Sequence, residues 1–328
     1  MSINFEEIYK KSLNNEYLTR DECNYILNIN NNEEFKKLLD ITYKIRKKYK
    51  GNKVSVQILT NAKSGNCSQD CKYCAQSCIS KANIDKYPLI EYEKLLNNGK
   101  IGKNKKVARH CIGLSGITFT DKQIDEFCEY IKNLKKEVNT DICCSIGFLT
   151  RDQAKKLKEA GVNRINHNLN TGRNFYKNIC TTHTYDERIK NIEMFKELGF
   201  EMCCGGIIGL GESQDDIIDM LFEVKRINPK SVPINFLIPI KGTPLEKSDI
   251  SKLTPEYCIK VLCLARLLNP KADVRCAAGR EIHIKDKQNL MFYAVNSIFA
   301  SGYLTADGQN IDDTIKLIED AGFEYEIE

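Results

Sequence analysis

Hydrophobic and polar positions follow two alternating periods along most of the chain. Eight short runs of β-branched and apolar residues predict strands, and the longer stretches between them carry apolar residues at helical spacing. The predicted strands are residues 54–59, 107–114, 141–146, 164–169, 201–208, 231–237, 274–277 and 296–299, and the predicted helices include 121–137, 151–160, 185–198, 213–227 and 254–268. Several helices end at or near Gly or Pro, which terminate helices.

Strands that alternate with helices predict a parallel sheet with helical crossovers, and eight of them favour closure into a TIM-type (β/α)8 barrel. A doubly wound open sheet is the second possibility. Residues 4–49 are helical in pattern, with Leu18, Cys23 and Ile26 on one apolar stripe. We therefore expect an N-terminal helical extension over residues 1–50, which covers an α/β barrel with a C-terminal cap over residues 51–328.

Composition narrows the functional class. The 49 basic and 44 acidic residues give a net charge of +5, which is too weak and too dispersed to indicate a nucleic-acid partner. No apolar run has the length of a membrane-spanning helix, and residues 1–20 lack the apolar core of a signal peptide, so we expect a cytoplasmic protein. The 15 cysteines are numerous and odd in number, which disfavours a disulfide framework and favours metal binding in a reducing compartment.

Three of these cysteines form the array Cys67-x3-Cys71-x2-Cys74, with Tyr73 just before the last one. A 4Fe-4S cluster takes one thiolate per iron, so three cysteines leave one iron open for a ligand that is not protein. The array follows the first predicted strand, and the carboxyl ends of barrel strands carry the active site. A closed zinc or iron-sulfur site with Cys78 as fourth ligand is the alternative. A single Cys-x2-Cys step within a large α/β chain disfavours it.

A second group of cysteines lies on the predicted strands. Cys111 is on the second strand, the doublet Cys143 and Cys144 on the third, and the doublet Cys203 and Cys204 on the fifth. Because successive strand residues point to opposite faces, only one member of each doublet can face the barrel interior. Cys111 with one member of each doublet could hold a second metal centre. Alternatively, these cysteines are small residues of the core.

The array resembles that of the radical S-adenosylmethionine superfamily, and residues 65–77 resemble the biotin synthase family in particular. Further motifs of that family occur in the same order and with similar gaps between residues 50 and 308, at 166–171, 205–212, 231–235 and 274–281. The resemblance implies a radical sulfurtransferase that converts dethiobiotin to biotin. In such enzymes a 4Fe-4S cluster cleaves S-adenosylmethionine to a 5'-deoxyadenosyl radical, and an auxiliary cluster supplies the sulfur.

The resemblance also implies roles for individual residues. The catalytic 4Fe-4S cluster is expected on Cys67, Cys71 and Cys74, and the auxiliary 2Fe-2S or larger cluster on Cys111, Cys143, Cys203 and Arg275. The residues expected at S-adenosylmethionine are Tyr73, Asn168, Asn170, Arg188, Gly205 and Gly206; those expected at dethiobiotin are Asn168, Asn235 and Thr305. It further implies a homodimer and an electron donor such as flavodoxin or ferredoxin.

Some residues leave alternatives open. The asparagines could instead serve turns or helix caps, and we interpret His167 as a structural residue. The additional thiols of Cys144, Cys204 and Cys276 leave the type of the auxiliary cluster open, and Ala306 stands where relatives often carry a second threonine near the substrate carboxylate. Two other functions are a radical enzyme of cofactor or metallocluster assembly, and a non-catalytic iron-sulfur or zinc protein.

Overall fold

The computed structural model describes residues 4–326. Three helices come first: α1 (Phe5–Leu13), α2 (Arg20–Asn28) and α3 (Asn32–Lys50). A capping box formed by Thr19 and Glu22 starts α2. Within the described residues no helix is long and apolar enough to cross a membrane.

Nine parallel strands form a closed barrel with eight positions, because two short strands share one position. The strands are β1 (Lys53–Lys63), β2 (Arg109–Leu114), β3 (Ile142–Ser145), β4 (Arg164–Asn166), β5 (Glu201–Cys203), β6 (Gly206–Ile208), β7 (Ser231–Phe236), β8 (Asp273–Cys276) and β9 (Ser297–Ala300). They are ordered β1-β2-β3-β4-β5-β7-β8-β9, and β9 pairs with β1. This ladder confirms the predicted (β/α)8 barrel and rules out the open sheet.

The fifth predicted strand is interrupted, so that β5 and β6 share one position in the barrel. Cys203 pairs with Ser231 of β7 and Gly206 pairs with Ile234. Between them the main-chain oxygen of Gly205 accepts hydrogen bonds from the N–H groups of Leu169 and Asn170, at 3.0 and 3.2 Å. The strand breaks because its backbone turns aside to bind the loop that follows β4.

Helices α4 (Tyr92–Asn104), α5 (Asp121–Val138), α6 (Arg151–Ala160), α7 (Tyr185–Glu197), α8 (Gln214–Ile227) and α9 (Pro255–Leu268) form the crossovers. Four of them, α5 to α8, begin with a capping box, in which a Ser or Thr at the N-cap and a Gln, Glu or Asp three positions later bind each other's main-chain N–H groups. These caps satisfy the N–H groups at the helix N-termini, which lie on the same side of the barrel as the carboxyl ends of the strands.

The chain ends with short helices α10 (Arg280–His283) and α11 (Gln288–Met291), then α12 (Ile311–Asp320) and strand β10 (Glu324–Tyr325). Strand β10 pairs with the start of β1 outside the barrel, through Lys53 and Val54. The division into an extension over residues 1–50 and a barrel unit over 51–328 stays a prediction.

Candidate active site

A cavity of about 370 Å³ opens at the carboxyl ends of the strands, and its size is within the range of small-molecule sites. It brings together most of the residues that the sequence predicted. Those that line it are Cys67, Cys71, Tyr73, Cys74, Cys111, Cys143, Asn168, Asn170, Arg188, Asn235, Arg275 and Thr305. Cys203, Gly205 and Gly206 are not among its lining residues.

The loop after β1 folds back on itself and presents the three-cysteine array to this cavity. The N–H of Cys67 donates to the oxygen of Gln76 at 3.3 Å, and the N–H of Cys74 donates to the oxygen of Cys71 at 3.1 Å. The side-chain oxygen of Gln76 also accepts from the N–H of Gly65 at 2.9 Å. The three thiols therefore lie on one closed turn, all facing the same cavity.

Cys78 is separated from this group. It is exposed and is not among the residues that line the cavity, although its N–H donates to the oxygen of Gln69 at 2.9 Å. Three thiols that face a cavity without the fourth fit an iron-sulfur cluster with an open iron, since thiolates are the ligands of such clusters. The arrangement does not fit a closed site of four cysteines.

Deeper in the barrel Cys111, Cys143 and Cys203 pack together between Leu59 and Phe299. Cys111 of β2 is paired in register with Cys143 of β3, whereas Cys203 lies two strands further along. Cys144 and Cys204 instead pack in the surrounding core. This confirms that one member of each doublet faces the interior.

The electrostatics of these three thiols are unequal. The hydrogen bond that Cys143 donates to Cys111 raises the pKa of Cys143 to about 12. The same bond, with the positive charge of Arg275, lowers the pKa of Cys111. Further contacts come from Gln57, whose Oε1 accepts from the Cys111 thiol at 3.3 Å, and from Asn166, whose Nδ2 donates to Cys203 Sγ at 3.2 Å. Gln57 therefore accepts from Cys111, whereas Asn166 supplies a donor to Cys203 that suits a negatively charged sulfur ligand.

Arg275 reaches the same place from β8 and is only 1% exposed. Its Nε donates to Ser297 Oγ at 3.1 Å, its Nη2 donates to Ser231 Oγ at 3.2 Å, and its Nη1 lies 3.9 Å from Cys203 Sγ. Its guanidinium stacks over the ring of Phe299 at 4.8 Å. Among residues 4–326 no carboxylate oxygen lies within 4.0 Å of it, so a buried charge faces the three thiols without an acidic partner.

Asn168 and Asn170 lie in the loop after β4, next to the break between β5 and β6. The Oδ1 of Asn168 accepts a hydrogen bond from the N–H of Gly205 at 3.1 Å. Asn170 adopts the left-handed conformation with φ 71°, and its oxygen accepts from the N–H of Ile207 at 2.8 Å. Both asparagines therefore fix the loop while they line the cavity.

Packing inside the protein explains why Gly205 and Gly206 carry no side chain. A Cβ on Gly205 would lie 1.9 Å from the oxygen of Pro233, and a Cβ on Gly206 would lie 2.0 Å from Met220 Sδ. These approaches are to the protein's own atoms. The assignment of the two glycines to the cofactor stays a prediction.

Asn235 of β7 is held at both ends of its amide. Its Nδ2 donates to the oxygen of Gly206 at 3.1 Å, and its Oδ1 accepts from the N–H of Ala278 at 3.1 Å. An amide has two donors and two acceptor positions, so each end keeps capacity for a ligand. Thr305 and Ala306 also line the cavity, in the loop after β9.

Arg188 extends from α7 into the cavity wall. Its Nη1 donates to the oxygen of Asn168 at 3.3 Å, its Nη2 lies 2.9 Å from His183 Nε2, and its Nε donates to the hydroxyl of Tyr176. The guanidinium is thus oriented by three partners. Sequence reasoning missed His183 and Tyr176, because neither lies in a motif that it used.

Cys180 and Asp70 were also missed from the sequence. The carboxylate of Asp70, inside the array, accepts hydrogen bonds from the N–H groups of Thr181 and Thr182 at 2.9 and 3.2 Å. Burial acts against ionisation of Asp70, but these bonds lower its pKa below the usual range. Cys180 lies 3.8 Å from Cys71, sulfur to sulfur. The spacing Cys180-x2-His183 is the signal that could have indicated a ligand pair.

Comparison with known proteins gives two domain matches. Residues 61–224 match the Radical SAM superfamily, and residues 233–324 match the Biotin and Thiamin Synthesis associated domain.

Two relatives and one solved structure are similar along most of their length. A biotin synthase of Bacillus cytotoxicus is 39% identical over 324 residues, which cover 99% of this chain and 97% of the relative. A biotin synthase of Bacillus thuringiensis (strain Al Hakam) is 43% identical over 293 residues, which cover 89% and 88%. The crystal structure of methylornithine synthase superposes with a TM-score of 0.84 at 20% identity over 97% of each chain, which shows a shared fold.

Proposed function

Because this chain belongs to the biotin synthase family of the radical S-adenosylmethionine superfamily, we propose that its two cysteine groups act on dethiobiotin held between them in one cavity. The reaction is the insertion of sulfur into dethiobiotin to give biotin. When bound, a 4Fe-4S cluster with S-adenosylmethionine supplies the radical chemistry that an unactivated C–H bond requires, and an auxiliary cluster supplies sulfide. One observation carries the proposal: the array and the deeper cysteines Cys111 and Cys143 line the same cavity.

In this proposal Cys67, Cys71 and Cys74 hold the 4Fe-4S cluster at the cavity mouth. Cys111, Cys143 and Cys203 hold the auxiliary cluster at its base, with Arg275 as the fourth ligand group. The three thiols and the guanidinium fit a negatively charged cluster, because the site has a buried positive charge and no acidic partner nearby. The residues of the cavity wall then position the two organic molecules.

The cavity wall offers a complementary group for each part of these molecules. Arg188 presents a charged fork for the carboxylate of S-adenosylmethionine, and the amides of Asn168 and Asn170 offer hydrogen bonds to its ribose. Tyr73 contributes an aromatic face beside the array. The amides of Asn168 and Asn235 offer donors and acceptors to the ureido ring of dethiobiotin, and Thr305 offers a hydroxyl to its carboxylate. Gly205 and Gly206 act through the backbone near the cofactor.

Several wider features belong to the same proposal. A small redox protein such as flavodoxin or ferredoxin donates the electron, the chain forms a homodimer, and it works in the cytoplasm. Family membership supports each of these, and the count of free cysteines supports a reducing compartment.

The test is an anaerobic incubation of reconstituted protein with S-adenosylmethionine, dithionite and dethiobiotin, in which 5'-deoxyadenosine and biotin are measured by mass spectrometry. We expect both products from the parent protein. Cys74→Ala should abolish both, Cys203→Ala should abolish biotin while some deoxyadenosine remains, and Cys78→Ala, as the matched control, should leave both unchanged.

Two outcomes would contradict the proposal. Deoxyadenosine without biotin in the parent protein would keep the radical chemistry and reject dethiobiotin as substrate, as expected for an enzyme of cofactor or metallocluster assembly. Equal loss of iron from Cys78→Ala and Cys74→Ala would indicate a closed site of four cysteines and a non-catalytic role.

A further inference from the structure

A second group of metal-binding side chains lies directly behind the array. Among residues 4–326, Cys71, Cys180 and His183 have ligand atoms that all lie within 4.8 Å of one another. The Sγ atoms of Cys71 and Cys180 are 3.8 Å apart, and Cys180 Sγ lies 3.2 Å from His183 Nδ1. Cys180 and His183 come from the loop that precedes α7, more than 100 residues after Cys71.

The three groups are buried and held in place. Cys180 is 2% exposed and His183 is 5% exposed. The loop is tied to the array by Asp70, which binds the main chain of residues 181 and 182, and by the N–H of Lys72, which donates to the oxygen of Ile179 at 2.9 Å. The ligand atoms therefore converge without any rearrangement of the backbone.

Their spacing matches the edges of a tetrahedral zinc site. With Zn–S bonds of about 2.3 Å, two tetrahedral thiolates lie about 3.8 Å apart, and a thiolate and an imidazole nitrogen lie about 3.5 Å apart. In this chain the Sγ atoms of Cys71 and Cys180 are 3.8 Å apart. Cys180 Sγ lies 3.2 Å from His183 Nδ1 and 3.8 Å from His183 Nε2. His183 Nε2 lies 2.9 Å from the hydroxyl of Tyr176 and 2.9 Å from Arg188 Nη2, and Nδ1 lies 2.7 Å from Gln69 Oε1. A cation at Nδ1 would therefore replace the proton shared with Gln69, and the Nε2–H would then donate to the hydroxyl of Tyr176.

We propose that Cys71, Cys180 and His183 form a binding site for a thiolate-seeking divalent cation of the Zn²⁺ class in the chain that lacks its radical cluster. The site shares Cys71 with the cluster of the proposed function. A cation held by Cys71 and Cys180 therefore competes with the cluster for the Cys71 thiolate. Cys180 then controls which metal the array holds before the enzyme becomes active.

The test is a titration of the full-length, cluster-free chain with Co²⁺ followed by Zn²⁺. The thiolate-to-cobalt absorption band reports direct ligation, and a chromophoric chelator in competition reports affinity. The variants are Cys180→Ser, which keeps the size of the side chain, His183→Gln, Cys67→Ala and the control Cys78→Ala. The deeper cysteines are common to all variants and contribute the same background.

We expect Cys180→Ser and His183→Gln each to weaken the tight site by at least about 100-fold, because loss of a supporting contact alone costs about 10- to 100-fold in metal affinity. Cys67→Ala and Cys78→Ala should retain it, since neither residue is a ligand. Unchanged affinity in Cys180→Ser would overturn the proposal. An equal loss of affinity in Cys67→Ala would also overturn it, because the cation would then be bound by the cysteines of the array.

A separate measurement distinguishes this proposal from the proposed function. The 4Fe-4S absorbance of Cys180→Ser after anaerobic reconstitution should equal that of the parent, which also shows that the variant is folded. Added Zn²⁺ should slow reconstitution of the parent protein and not of Cys180→Ser. If Zn²⁺ slows both equally, the shared use of Cys71 is wrong, whereas the radical chemistry is unaffected.

Discussion

Replacement of Arg275 by methionine should separate the stability of the barrel from its ability to hold the auxiliary cluster. Methionine has a similar length and removes the buried charge. The change removes two charge-assisted hydrogen bonds, to Ser231 and Ser297, each worth about 1.5–3 kcal/mol. It also removes the stacking on Phe299, worth about 1–2 kcal/mol at a desolvated site.

The opposing contribution is the desolvation of a guanidinium without a carboxylate partner, which costs several kcal/mol. The two serine hydroxyls keep other partners after the change, since Ser231 donates to the oxygen of Asp273 at 3.2 Å and Ser297 accepts from Gln57 Nε2 at 3.3 Å. The free energy lost with the two hydrogen bonds and the stacking is similar in size to the desolvation cost that the change removes. We therefore expect the free energy of unfolding of the cluster-free chain to change by less than about 2 kcal/mol.

Arg266→Met is the matched control. Arg266 is also fully buried, but it donates to the main-chain oxygens of Ala294, Pro270 and Ala272 at 2.8, 3.1 and 2.7 Å. Unsatisfied buried carbonyls cost about 1–3 kcal/mol each. Arg266→Met also removes a desolvated charge, but it loses these three bonds and a fourth to Asn296 Oδ1 at 2.6 Å, so it should destabilise the chain more than Arg275→Met.

The assay is urea denaturation of both cluster-free variants, with iron and sulfide content measured after anaerobic reconstitution. Arg275→Met should unfold at a urea concentration near the midpoint of the parent protein. It should retain the iron of the radical cluster and lose the iron and sulfide of the auxiliary cluster. Destabilisation equal to that of Arg266→Met, or full auxiliary iron in Arg275→Met, would refute this reasoning.

Three further predictions concern Gly205, Glu212 and Asp70. Gly205→Ala should destabilise the protein even without cofactor, because its Cβ would meet the oxygen of Pro233; an unchanged midpoint in urea would contradict this. Burial raises the pKa of Glu212 above its ordinary value of 4.5, so the folded chain binds more protons than the unfolded chain above that pH and stability falls as pH rises. Glu212→Gln cannot titrate, and its stability relative to the parent should therefore increase from pH 4 to pH 7 in thermal melts; a constant difference would refute this. Asp70→Ala should lower the iron retained on the array after gel filtration, because it unties the loop at Thr181 and Thr182; equal retention would argue against that role.

The sequence predicted the barrel well because each strand and helix carries its own local signal. Alternating periods, caps and terminal glycines depend on neighbours within a few residues, and the observed α9 (Pro255–Leu268) closely matches the helix predicted over residues 254–268. Strand phase likewise predicted that one member of each cysteine doublet faces the interior, and the resemblance to the family indicated which one. Local pattern could not predict the break after Cys203, because it depends on hydrogen bonds to Ser231 and to the loop at residues 168–170.

The same limit explains the residues that were missed. The spacing Cys180-x2-His183 is a local signal for these two residues, but it does not show where they lie. Their role depends on Cys71, which barrel closure brings within 3.8 Å of Cys180. Gly205 shows a related limit. A glycine near a predicted cofactor suggests close approach of a ligand, but packing against Pro233 of the neighbouring strand also requires a glycine there, and local pattern cannot separate the two reasons.

The stagger of the barrel explains how distant strands place their groups at one depth. Cys111 of β2 pairs with Cys143 of β3, and Cys143 pairs with Arg164 of β4. Cys203 of β5 pairs with Asn166, which lies two residues after Arg164 on β4. A shift of two residues keeps a side chain on the same face, because side chains alternate with a period of two. Cys203 therefore still points inward beside the other two thiols. A shift of one residue would have presented Cys204 instead, so the barrel's even stagger selects which thiol of each doublet can bind metal.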